Sequence, residues 1–260
     1  MSSSEAAELL ARARLGRERL AGLPPELRPV DIAAGYRVQE ALHGRLSAAG
    51  LGPLAGYKIG CTTPVIQRFL GIDHPCAGCV LAARVYRHSA RLLHGAFVRV
   101  GIECEIAVLL DKDLPERDRP YAAAEVAPAV GACAAAIEIV DDRWLDYRSV
   151  DTPTLVADDF FNAACVIGVP QRFDGSLDLA RLGGTMTVNG VLLGRGTGAD
   201  ALEHPLNALA WLAGGRSRSG GLRAGELVLT GSLVRTHWAA RGESCAVEIE
   251  RLGTVRASFD

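Results

Sequence analysis

The run Ile102-Glu103-Cys104-Glu105-Ile106-Ala107-Val108-Leu109-Leu110 alternates at first and then turns wholly apolar. On a strand, residues two apart share a face, so Glu103 and Glu105 point the same way, about 7 Å apart along the strand. Ile102, Cys104 and Ile106 take the opposite, core-facing side. The apolar continuation from Ile106 to Leu110 reads as a strand buried on both faces. An acidic pair on a strand is ordinarily the solvated face of a sheet. Near a buried surface, two such carboxylates repel by about 2–3 kcal/mol at an effective dielectric near 20. A hard cation is the simplest thing that would offset this.

Two further polar residues stand in similar surroundings. Glu138 is bracketed by Ala135, Ala136, Ile137, Ile139 and Val140, and a buried unpaired glutamate is costly. Either an arginine such as Arg143 pairs with it, or it joins Glu103 and Glu105 around a cation. Three oxygen donors without histidine or cysteine suit Mg²⁺ or Mn²⁺ far better than Zn²⁺. Lys58, in Gly56-Tyr57-Lys58-Ile59-Gly60, either snorkels to the surface or stands as a cation beside the carboxylates.

Around these residues the chain is β-rich. Strands are expected at Ala55–Ile59, Glu103–Leu110, Ala135–Val140, Ala164–Ile167, Thr185–Val188 and Leu227–Thr230, with a hairpin over Ala246–Phe259. The first 52 residues read differently. An amphipathic helix is expected over 4–22, ended by Pro24-Pro25, and a second follows Asp31 as its cap and stops at Gly50 or Gly52. A further helix is expected over Leu202–Ala213. The division expected is a helical region, 1–52, and a β body, 53–260.

Composition narrows the class. The chain has 260 residues, 28 basic and 30 acidic, for a formal net charge of −2. That balance lacks the basic excess of a nucleic-acid binder. No apolar run approaches the roughly 18 residues of a membrane span, and Met1 to Arg12 has no apolar signal core, so a cytoplasmic protein is expected. The seven cysteines read as reduced thiols. Cys76 and Cys79 have CxxC spacing, but no second pair completes a zinc knuckle, and Pro75 and Gly78 read as a loop. Gly194-x-Gly196-x-Gly198 lacks the strand–helix setting of a dinucleotide site.

Taken in order, these residues resemble a known family. Gly56-Tyr57-Lys58-Ile59-Gly60, the Glu103-x-Glu105 strand, Glu138, Gly196-Thr197-Gly198, His204-Pro205, Trp211-Leu212-Ala213 and Leu222-Arg223-Ala224-Gly225-Glu226-Leu227-Val228-Leu229-Thr230-Gly231 look like the 2-keto-4-pentenoate hydratase family. That family belongs to the fumarylacetoacetate hydrolase superfamily and includes 4-oxalocrotonate decarboxylases. The match runs from about Ile32 to the C-terminus. It implies an α+β fold, a mixed β-roll of the fumarylacetoacetate hydrolase C-terminal type with a helical N-terminal region. It also implies a divalent metal, Mg²⁺ or Mn²⁺, on Glu103, Glu105 and Glu138, and a functional lysine at Lys58.

The resemblance also carries Ser232 and Asp159 into the catalytic set with Lys58. Ser232 stands at a strand end like a family position facing the site, or is simply a turn serine. Asp158 and Asp159 resemble a segment near the pocket, or one of them is a helix cap. The implied activity is metal-dependent addition of water to 2-hydroxypenta-2,4-dienoate-like (2-keto-4-enoate) acids, giving 4-hydroxy-2-oxo acids in aromatic-compound catabolism. The alternatives are decarboxylation of a 2-oxo-3-enedioate, carbon–carbon hydrolysis, and a non-catalytic module holding an ion. A homo-oligomer is implied, as is a complex with a related pathway enzyme. Two departures bear on substrate: Cys76 and Ala83 stand where relatives tend to be acidic. A decarboxylase would need a distal cation, for which Arg84, Arg143 and Arg148 are candidates.

Overall fold

The computed structural model describes residues 2–216 and 220–260. Two sheets form its body. The larger has eight strands, in the order Cys76–Leu81, Leu54–Gly60, Leu227–Trp238, Val100–Leu110, Val130–Asp141, Asn162–Ile167 and Val85–Arg87, with Gln171–Arg172 pairing beside Val130–Asp141. The smaller runs Val191–Thr197, Gly183–Val188, Ser244–Ile249, Gly253–Phe259, Ser89–Leu92. Both sheets mix parallel and antiparallel pairs. The expected α+β class holds.

Alternation along Val100–Leu110 decides which layer each residue joins. Ile102, Cys104, Ile106 and Val108 bury against Met186, Val247, Val255 and Phe259 of the smaller sheet in one core. The other face turns smaller: Ala107 packs with Ala134, Ala136, Cys165 and Leu229 in a separate cluster. Glu105 and Glu103 lie on that second face, one and two strand repeats from Ala107. Every strand expected from the sequence is present, most with longer bounds.

The expected loop at Cys76-Cys79 is a correction. Cys76–Leu81 is a strand antiparallel to Leu54–Gly60, and Lys58 lies opposite Gly78. Gly78 is there because of a close approach: a Cβ on it would fall 2.4 Å from the Asp159 carbonyl oxygen. Of Gly194-x-Gly196-x-Gly198, the first two glycines lie on the strand Val191–Thr197, where a Cβ on Gly196 would meet the Leu233 carbonyl oxygen at 1.9 Å, and Gly198 opens the short 3-10 helix Gly198–Asp200. All seven cysteines are free thiols.

The N-terminal helices are Ser2–Gly16 and Ile32–Leu46. The first ends six residues before the expected stop. Arg17 turns left-handed (φ 58°), and Leu20 leaves the helix to exchange backbone hydrogen bonds beside Trp144. Asp31 caps the second helix, its Oδ1 accepting from Ala34 N at 2.7 Å. The helix expected over Leu202–Ala213 spans Pro205–Trp211, capped by His204 Nδ1. Ala6, Leu10, Val38 and Leu42 bury in one cluster with Trp144, Leu155 and Phe160 of the β body. No described helix is long and apolar enough to cross a membrane.

Candidate metal centre and active-site cavity

Register brings the acidic residues together. Glu103 stands directly opposite Glu138 on the neighbouring strand, and Glu105 lies two residues further on. One carboxylate oxygen from each lies within 4.8 Å of the others. At that spacing each pair of charges repels by roughly 3–4 kcal/mol at an effective dielectric of 20. Glu105 and Glu138 are fully buried and Glu103 is half-buried.

Each carboxylate is held from one side only. Glu105 Oε2 accepts from Gly231 N at 2.9 Å, Glu138 Oε1 accepts from Asn162 Nδ2 at 2.9 Å, and Glu103 Oε1 accepts from the Thr236 hydroxyl. Glu105 Oε1 and Glu138 Oε2 are buried without a hydrogen-bond partner. A buried orphan of this kind costs about 1–3 kcal/mol or more. Burial, reinforced by the neighbouring glutamates, pushes the Glu105 carboxyl well above the usual carboxylate range, and burial lifts Glu138 to about 7 against the pull of Lys58. The donor set is all carboxylate, hard and anionic, so a divalent cation taking six or more oxygens fits it. That cation would satisfy both orphans and cancel the repulsion.

Lys58 is only 3% exposed. Its Nζ lies 3.3 Å from Glu138 Oε1, donates to the Phe160 carbonyl at 3.1 Å and sits 5.7 Å above the Phe160 ring. Burial alone would lower its pKa; Glu138, Glu103 and Glu105 outweigh that and raise it, so it stays an ammonium. An ammonium has three donors. Two are directed at Glu138 and Phe160, and the third is left for the cavity that Lys58 lines.

Asp159 lies elsewhere than the sequence reading puts it. It does not line the cavity. Its Oδ2 accepts from Arg14 Nη1 at 2.6 Å, and its Oδ1 accepts from His43 Nε2 at 2.6 Å and Cys79 N at 3.0 Å. Asp158 caps the helix Thr152–Ala157 at its C-terminal end and pairs with Arg143 at 2.8 Å. Arg143 is therefore spent there and does not pair with Glu138; Asn162 and Lys58 fill that role. Ser232 does line the cavity, with its hydroxyl donating to the Val234 carbonyl at 2.6 Å and accepting from Cys104 N at 3.2 Å.

Residues Asp159, Phe160 and Phe161 all have left-handed φ angles, 57°, 49° and 70°. Left-handed geometry costs a non-glycine residue about 1–2 kcal/mol. Three in succession persist only where the surroundings impose them. Here Arg14, His43 and Arg143 do so. The sequence reading missed Arg14, His43 and Asn162. Arg14 and Asp159 are 145 positions apart, so no local pattern links them.

The cavity measures about 410 Å³, within the range of sites that hold small organic ligands. Lys58, Glu103, Ser232 and Thr236 bring polar groups to its lining, and Ile66, Phe69, Tyr147, Phe160 and Phe161 bring apolar ones. Arg84, Arg143 and Arg148 do not line it. Arg235, exposed at the mouth, is the one arginine that does among the described residues.

A family model for the fumarylacetoacetate (FAA) hydrolase C-terminal domain matches residues 80–260. The chain belongs to the fumarylacetoacetate hydrolase family. Within it, the chain is similar to a 2-keto-4-pentenoate hydratase of Paraburkholderia phymatum, 36% identical over 253 residues, covering 96% of this chain and 94% of the relative. A 2-keto-4-pentenoate hydratase of Burkholderia vietnamiensis is 35% identical over 232 residues, covering 88% and 86%. Among solved structures of the fumarylacetoacetate hydrolase fold, 4-oxalocrotonate decarboxylase from Pseudomonas putida G7, complexed with magnesium and adipate, superposes with a TM-score of 0.92 at 25% identity. That match covers 99% of this chain and 97% of the other.

Proposed function

We propose that the chain is a metal-dependent hydro-lyase that adds water to 2-hydroxypenta-2,4-dienoate-like acids. The observation that carries this is the pair of orphaned oxygens on Glu105 and Glu138, grouped with Glu103 and beside the buried Lys58, the last two of which line a cavity with many apolar side chains. Relatives named 2-keto-4-pentenoate hydratase support it. Glu103, Glu105 and Glu138 would hold a divalent cation, Mg²⁺ or Mn²⁺. When bound, such a cation supplies Lewis acidity to the oxygens of a 2-oxo acid.

The chain's own groups divide the remaining work. The overall change moves a proton to C5 of the dienol, giving a conjugated 2-oxo-3-enoate. Water oxygen then joins C4, and its proton ends on C3. The donor of Lys58 not taken by Glu138 or Phe160 would stabilise negative charge on the C2 oxygen as the dienol ionises. Gly231 N, Asn162 and Thr236 each fix one glutamate, leaving the other oxygens of Glu105 and Glu138 for the cation. Ser232, two residues before Val234 on the same strand, presents a hydroxyl already tied to backbone and orients the wall. The apolar side chains of the lining, Ile66, Phe69 and Tyr147 among them, would admit the hydrocarbon end of the substrate.

The decarboxylase reading needs a cation at the far end of the substrate. Arg143 is bound to Asp158, and Arg84 and Arg148 face other depressions. Arg235 does line the cavity, but it is exposed, and the apolar side chains that make up much of the lining favour hydration. The test is to supply 2-hydroxypenta-2,4-dienoate and 2-oxo-3-hexenedioate separately, with Mg²⁺. Loss of dienol absorbance with formation of 4-hydroxy-2-oxopentanoate is expected. Release of CO₂ from the diacid with the dienoate untouched would replace hydration by decarboxylation.

The same reading has the chain assemble with itself. The edge strand Val191–Thr197 leaves one side of its backbone unpaired, and Val191, Leu192 and Leu193 are 64%, 43% and 46% exposed. An apolar open edge of that kind requires a cover, and a second copy of the chain supplies one.

A further inference from the structure

We infer that Arg14 and His43, on the two N-terminal helices, are positioning residues for Lys58. The inference rests on the role given to Lys58 under the proposed function. It turns on the left-handed segment Asp159–Phe161, which the helices hold and the lysine uses.

The path is short. Arg14 grips the segment at two points, Asp159 Oδ2 at 2.6 Å and the Asn162 carbonyl at 2.5 Å. His43 Nε2 closes on Asp159 Oδ1 at 2.6 Å; a carboxylate only accepts, so this nitrogen carries the hydrogen. Held so, the segment turns the Phe160 carbonyl onto Lys58 Nζ at 3.1 Å and sends the Asn162 amide to Glu138 Oε1 at 2.9 Å. The two groups that fix the lysine, the carbonyl and Glu138, are both set by this turn. Left-handed geometry is tolerated at an aspartate, but nothing in the local sequence favours it at the two phenylalanines that follow. If the grip is lost, the carbonyl moves and the third N–H of Lys58 loses its aim.

His43, Cys79 and Asp159 also place one ligand atom each within 4.8 Å of one another. Asp159 already has both oxygens engaged there, Oδ2 by the Arg14 guanidinium. The cluster is read as a clamp.

Misplacing a catalytic group by about 1 Å can cost a hundredfold in rate. The test measures kcat, KM, Mn²⁺ affinity by titration calorimetry and thermal stability for Arg14→Met, His43→Gln, Lys58→Ala and the Arg14→Met/Lys58→Ala double variant. Arg14→Met is expected to lower kcat about tenfold or more, with KM and Mn²⁺ affinity within about twofold. In the double variant Arg14→Met should cost almost nothing further, because its effect runs through the lysine. Should Arg14→Met fail to fold, His43→Gln carries the same criterion. An unchanged kcat in a folded Arg14 or His43 variant overturns the inference. So does an Arg14 effect that persists undiminished without Lys58. If Lys58→Ala itself retains turnover, the role of Lys58 under the proposed function fails instead, a result distinguishable from either.

Discussion

Lys58 Nζ lies 3.3 Å from Glu138 Oε1, the same oxygen that accepts from Asn162. The lysine therefore touches a carboxylate proposed as a metal ligand, on the oxygen other than the orphaned one. It shares the charge of the centre without occupying the place of the cation. A structural ion site has no use for this arrangement; a site that handles charge on a substrate does.

Replacing Lys58 should separate these roles. Lys58→Ala is expected to lower kcat by about 10²–10³-fold, the usual worth of one donor to a developing oxyanion. Mn²⁺ affinity should fall far less, because the three carboxylates remain. Titration calorimetry alongside steady-state kinetics checks both. Near-normal turnover in a folded variant would make the lysine a packing residue.

Glu105→Gln tests the centre through stability. Without metal, three carboxylates within 4.8 Å either repel one another or take up protons, as the raised Glu105 and Glu138 do, and a glutamine at 105 removes that conflict from two of the three pairs. The metal-free variant is expected to melt above the metal-free parent. Saturating Mn²⁺ should stabilise the parent by about 2.7 kcal/mol at a hundred times its dissociation constant, and the variant by much less. A parent protein whose melting temperature ignores both Mn²⁺ and a chelator would contradict the ligand set.

Asp159 predicts a pH dependence of stability. Burial alone would raise its carboxyl, but His43 and Arg14 outweigh burial and hold it well below the usual range. A folded pKa below the unfolded value of about 3.9 stabilises the protein above that pH and loses the contribution as pH falls through the folded pKa. Asp159→Asn should thus cost about 3 kcal/mol at pH 7, since it breaks a buried pair. The gap between variant and parent should close progressively below about pH 4. Urea unfolding across that range measures it, and a gap independent of pH would remove the charge from the explanation.

How much of this was legible in the sequence depends on the reach of each contact. The strand carrying Glu103 and Glu105 announces itself by period-two alternation, and its partner around Glu138 by an unbroken apolar run. Both signals are local. The strand Cys76–Leu81 does not announce itself, because cysteine, alanine and glycine have weak strand preference and Pro75 precedes them. The early end of the first helix is set by Leu20 reaching Trp144, a tertiary contact that overrides helical periodicity. The orientation of Asp159 is less legible still. Its partners come from residues 14, 43 and 79, and a carboxylate beside a pocket in sequence can face away from it in space.

Self-association has a direct readout. With Val191, Leu192 and Leu193 on an open edge, sedimentation at micromolar concentration should show a species heavier than the 27.5 kDa chain. Leu192→Lys should shift the distribution toward that chain mass, since a lysine on an edge strand opposes pairing. A single 27.5 kDa species for the parent would leave the edge uncovered and the expectation wrong.

Two glycines make a controlled pair. Gly78 lies opposite Lys58, and a Cβ there would stand 2.4 Å from the Asp159 carbonyl oxygen and 3.1 Å from Lys58 Cγ. The carbonyl cannot retreat cheaply, because Arg14 and His43 hold its residue in place. Gly78→Ala is therefore expected to destabilise by about 1–3 kcal/mol, the cost of overpacking, and to lower kcat as the turn shifts against the lysine. Gly44, in the helix Ile32–Leu46, has nothing within 4 Å of its added Cβ. Gly44→Ala should stabilise by roughly 0.5–1 kcal/mol through helix propensity alone and leave kcat unchanged. Urea midpoints and kcat for the two variants check the contrast. If Gly78→Ala is as stable and active as the parent, the strand and the turn are not pressed together, and Lys58 is aimed by something else.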